Sequence, residues 1–495
     1  MVKDLPAEIW LLIFHYAVED GSLFDYDLPT SLTESSWFKL VFGGWSLRSP
    51  AEALNLLQRR SYATKKAISS TCSTWRILGT EFLYRCLFFN DPTCIMQISR
   101  ILRRDNSLGR WAKRLHITRF YASGGADVVQ MQDALTHVIR CCPNLEIFIV
   151  NWPIKPVLTT IINALCTFCH KSLRTLHLNI PPVALPKVIL MLESLPRLSS
   201  IHLEFDGPCP ENIPLGATSD LTLNLTALEQ LSLRGLFQLF VEQATGWNIP
   251  ALRSLSLDFL SYRDDLPDIV GFLTHHGAGL TYLDLNCIPA LDVPTILDLC
   301  PALTTFAFNP DWRLQNADGL HGTAILVHRP HQNILTIGCH QLLYAFGVGE
   351  AAKFASIDPV ASLFIQRQND MNFAALNKRN FPRLQRVRVL NRTLLRDLEA
   401  ADGPGEGGLK RWERWWDLCA KQGIRLEDCT GQSLGTLPQD EEESESESES
   451  EVSEDESRKD EMKSLRDLLD QCRIMNATRE EPFFAPQSAY ERSRN

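Results

Sequence analysis

The chain has 495 residues, 45% hydrophobic and 22% charged, a globular balance that excludes a wholly disordered protein. Its net charge of −10 comes from beyond residue 439, because residues 1–439 hold 41 bases and 41 acids. That neutral body argues against a dedicated nucleic-acid binder, which needs a basic stripe to neutralise phosphates. Nor is there a run of about 18 uninterrupted apolar residues, so no membrane span is expected. Residues 1–6 carry charges and a proline where a secretory signal needs an apolar core. Fourteen cysteines scattered through apolar stretches read as reduced thiols, and the expected compartment is cytoplasmic or nuclear.

In chain order, residues 1–90 read all-α. Pro6 suits the first turn of a helix whose apolar face is Ile9, Leu12, Ile13 and Tyr16. Ser49-Pro50-Ala51-Glu52 is a capping box that opens a helix through about Arg60. A third helical stretch is expected over 65–72, and a fourth begins near Ser73 with Trp75, Leu78, Phe82 and Leu83.

Residues 91–438 carry a recurring Leu-x-x-Leu-x-Leu. Its clearest copies are Leu173/Leu176/Leu178, Leu198/Ile201/Leu203, Leu228/Leu231/Leu233, Leu252/Leu255/Leu257 and Leu280/Leu283/Leu285. Looser copies begin at Ala112, Leu145, Leu303, Ile334 and Leu384. First positions lie 23 to 33 residues apart, except for one step of 50 between Ile334 and Leu384 that suggests an insertion or a degenerate unit. Successive strand side chains point to opposite faces, so the last two residues of each triple turn inward together. Helical spacing follows between triples, as in Leu158, Ile161, Ile162 and Leu165, and Pro143, Pro196, Pro250, Pro301 and Pro382 stand where helices must stop. The expected fold is α/β, a leucine-rich-repeat solenoid of parallel strands backed by helices.

Trp412, Trp415, Trp416 and Cys419 suit a helix over 410–421 that caps the last open core. Gly423 follows as its stop and 424–426 as a final strand. Residues 439–495 form an acidic tail expected to be disordered, with eleven carboxylates between 440 and 456. Ser444, Ser446, Ser448, Ser453 and Ser457 each precede an acid by three residues, similar to acidophilic kinase sites. Met462, Leu465, Leu468, Leu469, Cys472 and Met475 keep the spacing of a short amphipathic helix.

Chemistry-bearing patterns are few. Cys166-x-x-Cys169-His170 has the spacing of half a zinc site, yet no second half follows and both thiols fall on an apolar side. There is no phosphate-cradling Gly-rich loop, no Gly-x-Ser-x-Gly elbow and no paired carboxylates in apolar context. No catalytic residue, metal or cofactor is expected. Outward strand positions on the concave face are the default binding surface for a protein substrate: His177, His202, Arg234, Asp258, Tyr282, Asp284, Arg386 and Arg388. The plainer alternative is a solvated polar face.

The N-terminal residues resemble an F-box. Leu5-Pro6-Ala7-Glu8-Ile9-Trp10, Ile13-Phe14, Thr71-Cys72-Ser73-Thr74-Trp75-Arg76 and Leu83-Tyr84 match that family's pattern in order and identity. Leucine-rich repeats behind an F-box are a known family arrangement. Closing them with Arg411-Trp412-Glu413-Arg414-Trp415-Trp416-Asp417 is similar to the F-box proteins expanded in mushroom-forming fungi. The resemblance covers most of residues 1–438. It implies a non-catalytic substrate-recognition subunit of an SCF-type cullin-RING ubiquitin ligase. Leu5, Pro6, Ile9, Ile13, Phe14 and Trp75 would meet the Skp-type adaptor in a helix-in-groove mode, and the repeats would hold a protein substrate. The alternative is a leucine-rich-repeat scaffold that does not engage the ligase. One departure stands out: Leu5 and Trp75 are 70 residues apart, about twice the family spacing. An insertion at about 19–62, with Trp37, Phe38, Val41, Phe42 and Trp45, either lies against the repeats or obstructs the adaptor site.

Overall fold

The alternating apolar triples take the form of parallel strands in the computed structural model. It describes residues 5–18, 20–40, 44–121, 128–207, 213–259, 269–286, 292–311 and 326–439. The chain divides into two compact units, Met1–Pro438 and Gln439–Asn495. Apart from Gln439, the second unit lies outside the described residues, and with it the serine-rich acidic run and the helical spacing of 462–475. Among the described residues, no helix is long and apolar enough to cross a membrane.

Three helices open the first unit. α1 (Ala7–Val18) starts directly after Pro6, whose fixed φ suits the first turn. The capping box is formed at α2 (Pro50–Thr71): the Ser49 hydroxyl accepts from Glu52 N at 3.2 Å, and Glu52 Oε2 accepts from Ser49 N at 2.7 Å. That helix runs unbroken through the stretch where two helices were expected, because 61–64 contain no glycine or proline to interrupt it. α3 (Ser73–Arg85) follows at once, capped by the Cys72 thiol. Phe14, Val18, Ile68 and Phe82 form the small core where the three helices meet.

Between α1 and α2, Gly21–Phe24 makes a 3₁₀ turn, then residues 25–35, with a turn closed by Thr33 N on Thr30 O at 3.1 Å, lead to β1 (Ser36–Lys39) and β2 (Trp45–Arg48). These two strands pair antiparallel, Ser36 opposite Arg48.

The remaining strands form one twelve-stranded parallel sheet in strict chain order. They are β3 (Cys86–Phe89), β4 (Arg114–Ile117), β5 (Ile147–Val150), β6 (Thr175–Ile180), β7 (Ser200–Phe205) and β8 (Gln230–Gly235). Then come β9 (Ser254–Asp258), β10 (Tyr282–Asn286), β11 (Thr305–Phe308), β12 (Thr336–Cys339), β13 (Arg386–Val389) and β14 (Arg425–Glu427). Helices back the sheet and join most successive strands; among the described residues, β7 and β8 are joined by the 3₁₀ turn Gly216–Thr218 and no helix lies between β11 and β12. Leu115, Leu176, Leu178, Ile201, Leu203, Leu283 and Leu384 are wholly buried. Each buried leucine contributes about 1.5–3 kcal/mol, against roughly 1–2 kcal/mol of backbone entropy per ordered residue. One strand and helix cannot offset that alone, so stability grows by stacking neighbours.

Residues 1–90 were expected to be all-α, and the strands β1 and β2 depart from that reading. β3 likewise adds a strand where only the end of a helix was expected. The 50-residue step holds an insertion, one of the two outcomes expected for it: three helices, Leu343–Phe346, Gly349–Ile357 and Pro359–Ala374, lie between β12 and β13, which still pair directly. At the far end the helix Glu406–Lys421 covers the core: the Trp415 ring stacks on Phe373 at 3.9 Å and 3°. Gly423, at φ +62°, turns the chain from that helix into β14.

Candidate functional site

Two surfaces present side chains that a partner could use. The first is α1. Phe14 is 1% exposed, its ring edge-on to Trp75 at 5.1 Å, and Trp10 lies 4.6 Å from Trp75. Phe14 and the half-buried Trp75 therefore belong to the helical core, which withdraws Phe14 from the surface expected to meet a partner. The opposite side of α1 is apolar and open: Leu5, Ile9 and Ile13 are each about 40% exposed, Leu12 52% and Tyr16 71%. Pro6 is exposed beside them. The described residues of the inserted segment do not cover Ile9 or Ile13.

The second surface is the polar face of the sheet, where alternation places three parallel rows. The first row runs Arg114, Ile147, Thr175, Ser200, Gln230, Ser254, Tyr282, Thr305, Thr336, Arg386 across adjacent strands. The middle row contains His116, Ile149, His177, His202, Ser232, Ser256, Asp284 and Arg388. The last row is Asn179, Glu204, Arg234, Asp258 and Asn286.

Residues 22–35 lie along the first row as a strap, held mainly through their backbone. Arg114 Nη1 donates to Leu23 O at 2.8 Å and Thr175 Oγ1 to Tyr26 O at 2.6 Å. The Gln230 amide closes a two-way clasp on Leu28, accepting from its N–H at 2.8 Å and donating to its carbonyl at 2.9 Å. Tyr26 adds its hydroxyl to Glu146 at 2.7 Å, and Ser31 meets the Tyr282 hydroxyl at 2.8 Å. Arg388 Nη1 donates to Leu32 O at 2.9 Å, and Ser35 N to Cys429 O at 2.8 Å. Beyond the strap, Leu47 of β2 is buried against Leu395 and Cys429. The insertion thus lies against the sheet, one of the two outcomes expected for it.

These contacts occupy several of the residues expected to hold a substrate. Arg388 is 5% exposed and paired with Glu427 at 2.7 Å and Glu34 at 3.1 Å. Asp284, 3% exposed, meets His340 Nε2 at 2.7 Å. Burial alone would raise the Asp284 carboxyl, but His340 outweighs it and the net shift is downward. Burial would lower His340, yet Asp284 raises it above its ordinary value. Tyr282 is committed to Ser31, and Arg386 Nε donates to Thr336 Oγ1 at 3.1 Å.

The expected residues left for another molecule are His177, His202, Arg234 and Asp258. The rings of His177 and His202 meet edge to face at 4.2 Å, and His202 Nδ1 is 2.8 Å from Ser232 Oγ. Burial pushes His202 down to about 4, with Arg234 adding to it, and holds His177 well below its ordinary value, with His202 adding. Both rings are therefore neutral hydrogen-bonding groups at pH 7. Arg234 bridges Glu204 at 3.2 Å and Asp258 at 3.3 Å, and Asn286 donates to Asp258 at 2.9 Å. This last row is a half-exposed ladder of alternating charge that suits polar groups of a peptide.

Sequence reasoning missed Arg114, Thr175 and Gln230, whose partners lie 91 to 202 residues away. Their only local signal was a polar residue at the first position of a strand. Cys169 is wholly buried and donates to Cys142 O at 3.6 Å, while burial pushes its thiol up to about 12. Among the described residues, no three His, Cys, Asp or Glu side chains gather as metal ligands. Compared with models of known protein families and with curated protein sequences, the chain matches none.

Proposed function

We propose that the protein is the substrate-recognition subunit of an SCF-type cullin-RING ubiquitin ligase, an F-box followed by a leucine-rich-repeat solenoid. In this reading α1 docks in a groove of the Skp-type adaptor, and the polar face of the sheet holds a protein substrate. The observation that carries it is the apolar side of α1, which no described residue covers. Five large apolar residues within twelve positions stay exposed although a helical core is available behind them. Such a contiguous patch on a folded surface marks an interaction site more often than a solvated face. The contact set narrows to Leu5, Pro6, Ile9 and Ile13, with Phe14 and Trp75 fixing the helix from inside.

The test is co-purification with the Skp-type adaptor and cullin, comparing wild type with Ile9→Asp/Ile13→Asp. Both side chains are exposed, so the thermal unfolding temperature of the variant should be unchanged. Binding by wild type that the double variant loses supports the reading. A wild type that fails to bind leaves a leucine-rich-repeat scaffold whose helical end is only a cover.

A further inference from the structure

Two arginines hold the two ends of the strap, and they differ in one respect. Arg114 and Arg388 each donate Nη1 to a strap carbonyl, Leu23 O at 2.8 Å and Leu32 O at 2.9 Å. Arg388 gives its other edge to a carboxylate: Nε and Nη2 both reach Glu427 Oε2, at 3.0 and 2.7 Å. Among the described residues, the same edge of Arg114 has no such carboxylate. Its Nε is enclosed without a hydrogen-bond partner, and among the described residues no carboxylate lies within 4.0 Å of its guanidinium. Asp20, which shares the surroundings of the Cys86 thiol with Arg114, is already paired with Lys65 at 2.7 Å. Arg114 is 4% exposed. A buried guanidinium without an anion leaves the cost of its desolvation uncompensated.

Arg114 also lines a cleft of about 870 Å³ between the strap, the first turns of α2 and the starts of β4 to β8. That volume is in the range of ligand sites. One wall is apolar, formed by Leu28, Pro50, Ala53, Leu54, Leu57 and Ile149. Thr175, Ser199 and Arg174 line it beside Arg114, the Arg174 guanidinium lying over the Tyr26 ring at 4.9 Å, while Asp25, Asp27, Glu34 and Glu229 are exposed around it. Those acids repel a phosphate or any polyanion, and a single carboxylate meets the least repulsion.

We propose that this cleft binds a carboxylate-bearing peptide segment, its carboxylate seated on Arg114 and its apolar side chains against the α2 wall. The carboxylate supplies the anion that Arg388 has in Glu427 and Arg114 lacks. The site is separate from α1, and it stands or falls independently of adaptor binding. The carboxylate is either a chain terminus or an acidic side chain.

Titration calorimetry on the full chain distinguishes them with three acetylated tripeptides. The first is leucine–glutamine–leucine with a free C-terminal carboxylate. The second is leucine–glutamate–leucine amide, and the third is leucine–glutamine–leucine amide, which is neutral. At least one of the charged peptides should bind about tenfold or more tightly than the neutral one, the scale of a charge-assisted hydrogen bond. Whichever charged peptide binds identifies the source. Arg114→Gln should remove the difference. Because that change also loosens Leu23, a second variant, Leu54→Trp, fills the cleft from the α2 side and should weaken binding with the unfolding temperature retained. Equal affinity for all three peptides, or no detectable binding, overturns the proposal. Unchanged selectivity in Arg114→Gln does so as well, and leaves Arg114 as a clasp on the strap alone.

Discussion

Lys65 and Asp20 form an ion pair of 2.7 Å in which both side chains are almost fully enclosed, at 3% and 1% exposure. It fastens α2 to a residue two positions before the strap. Removing one partner leaves the other charged in a dry setting, so Asp20→Asn should destabilise the protein by about 3–5 kcal/mol. Urea denaturation of the variant reads this directly. A loss below about 1 kcal/mol is the value for an exposed pair and would contradict the enclosed geometry.

Arg388 ties Glu34 and Leu32 of the strap to Glu427 of β14. Arg388→Met should cost about 3 kcal/mol, because the buried Glu427 keeps only the outer contact to Arg425. Hydrogen exchange adds a local readout. The amide of Ser35, bonded to Cys429 O, should exchange faster in the variant, while amides of β4 to β8 keep their protection.

His202 makes stability depend on pH. Burial, helped by Arg234, pushes it down to about 4 from an ordinary 6.5. Between those values the unfolded chain binds a proton that the folded one refuses, so stability falls as pH drops from about 6.5 towards 4. His177, also lowered by burial and lying beside it, adds to the same slope. His202→Gln should flatten the dependence by close to one proton, measured as the difference in unfolding free energy at pH 7 and pH 4.5. An unchanged slope would place the ring in solvent.

Trp415 closes the far end of the core, stacked on Phe373 with its Nε1 donating to Asp370 at 3.1 Å. Trp415→Ala should cost about 3–5 kcal/mol. Trp415→Phe keeps most of the apolar contact and loses the hydrogen bond, so it should cost about 1–2 kcal/mol. Chemical denaturation of both variants separates covering the core from bonding to Asp370.

The sheet was legible where the chain alternates, since Leu176/Leu178 or Leu283/Leu285 turn two apolar residues to one face and leave a polar one between. Cys86, Leu87, Phe88 and Phe89 escaped that reading because they follow α3 with no proline or glycine to mark the change. The two expected helices within α2 merged for the opposite reason, as weak helix formers such as Ser61 and Thr64 do not end a helix. Apolar spacing identified the face of α1, but periodicity alone cannot distinguish a face turned to a core from one turned outward. That the insertion lies against the repeats was one of two expectations, but the path of the strap was not legible. Its bonds join side chains of distant strands to backbone groups, which carry no side-chain pattern to match.

That strap also joins rungs that are far apart in the sheet. Thr175 at β6 holds Tyr26, and Cys429, just past β14, holds Ser35. Eight interstrand steps separate β6 from β14, about 38 Å across a flat sheet at roughly 4.8 Å each. The ten residues from Tyr26 to Ser35 reach at most about 36 Å when fully extended. One short segment with little slack therefore spans nine strands, and a molecule that parts those strands has to unfasten it first.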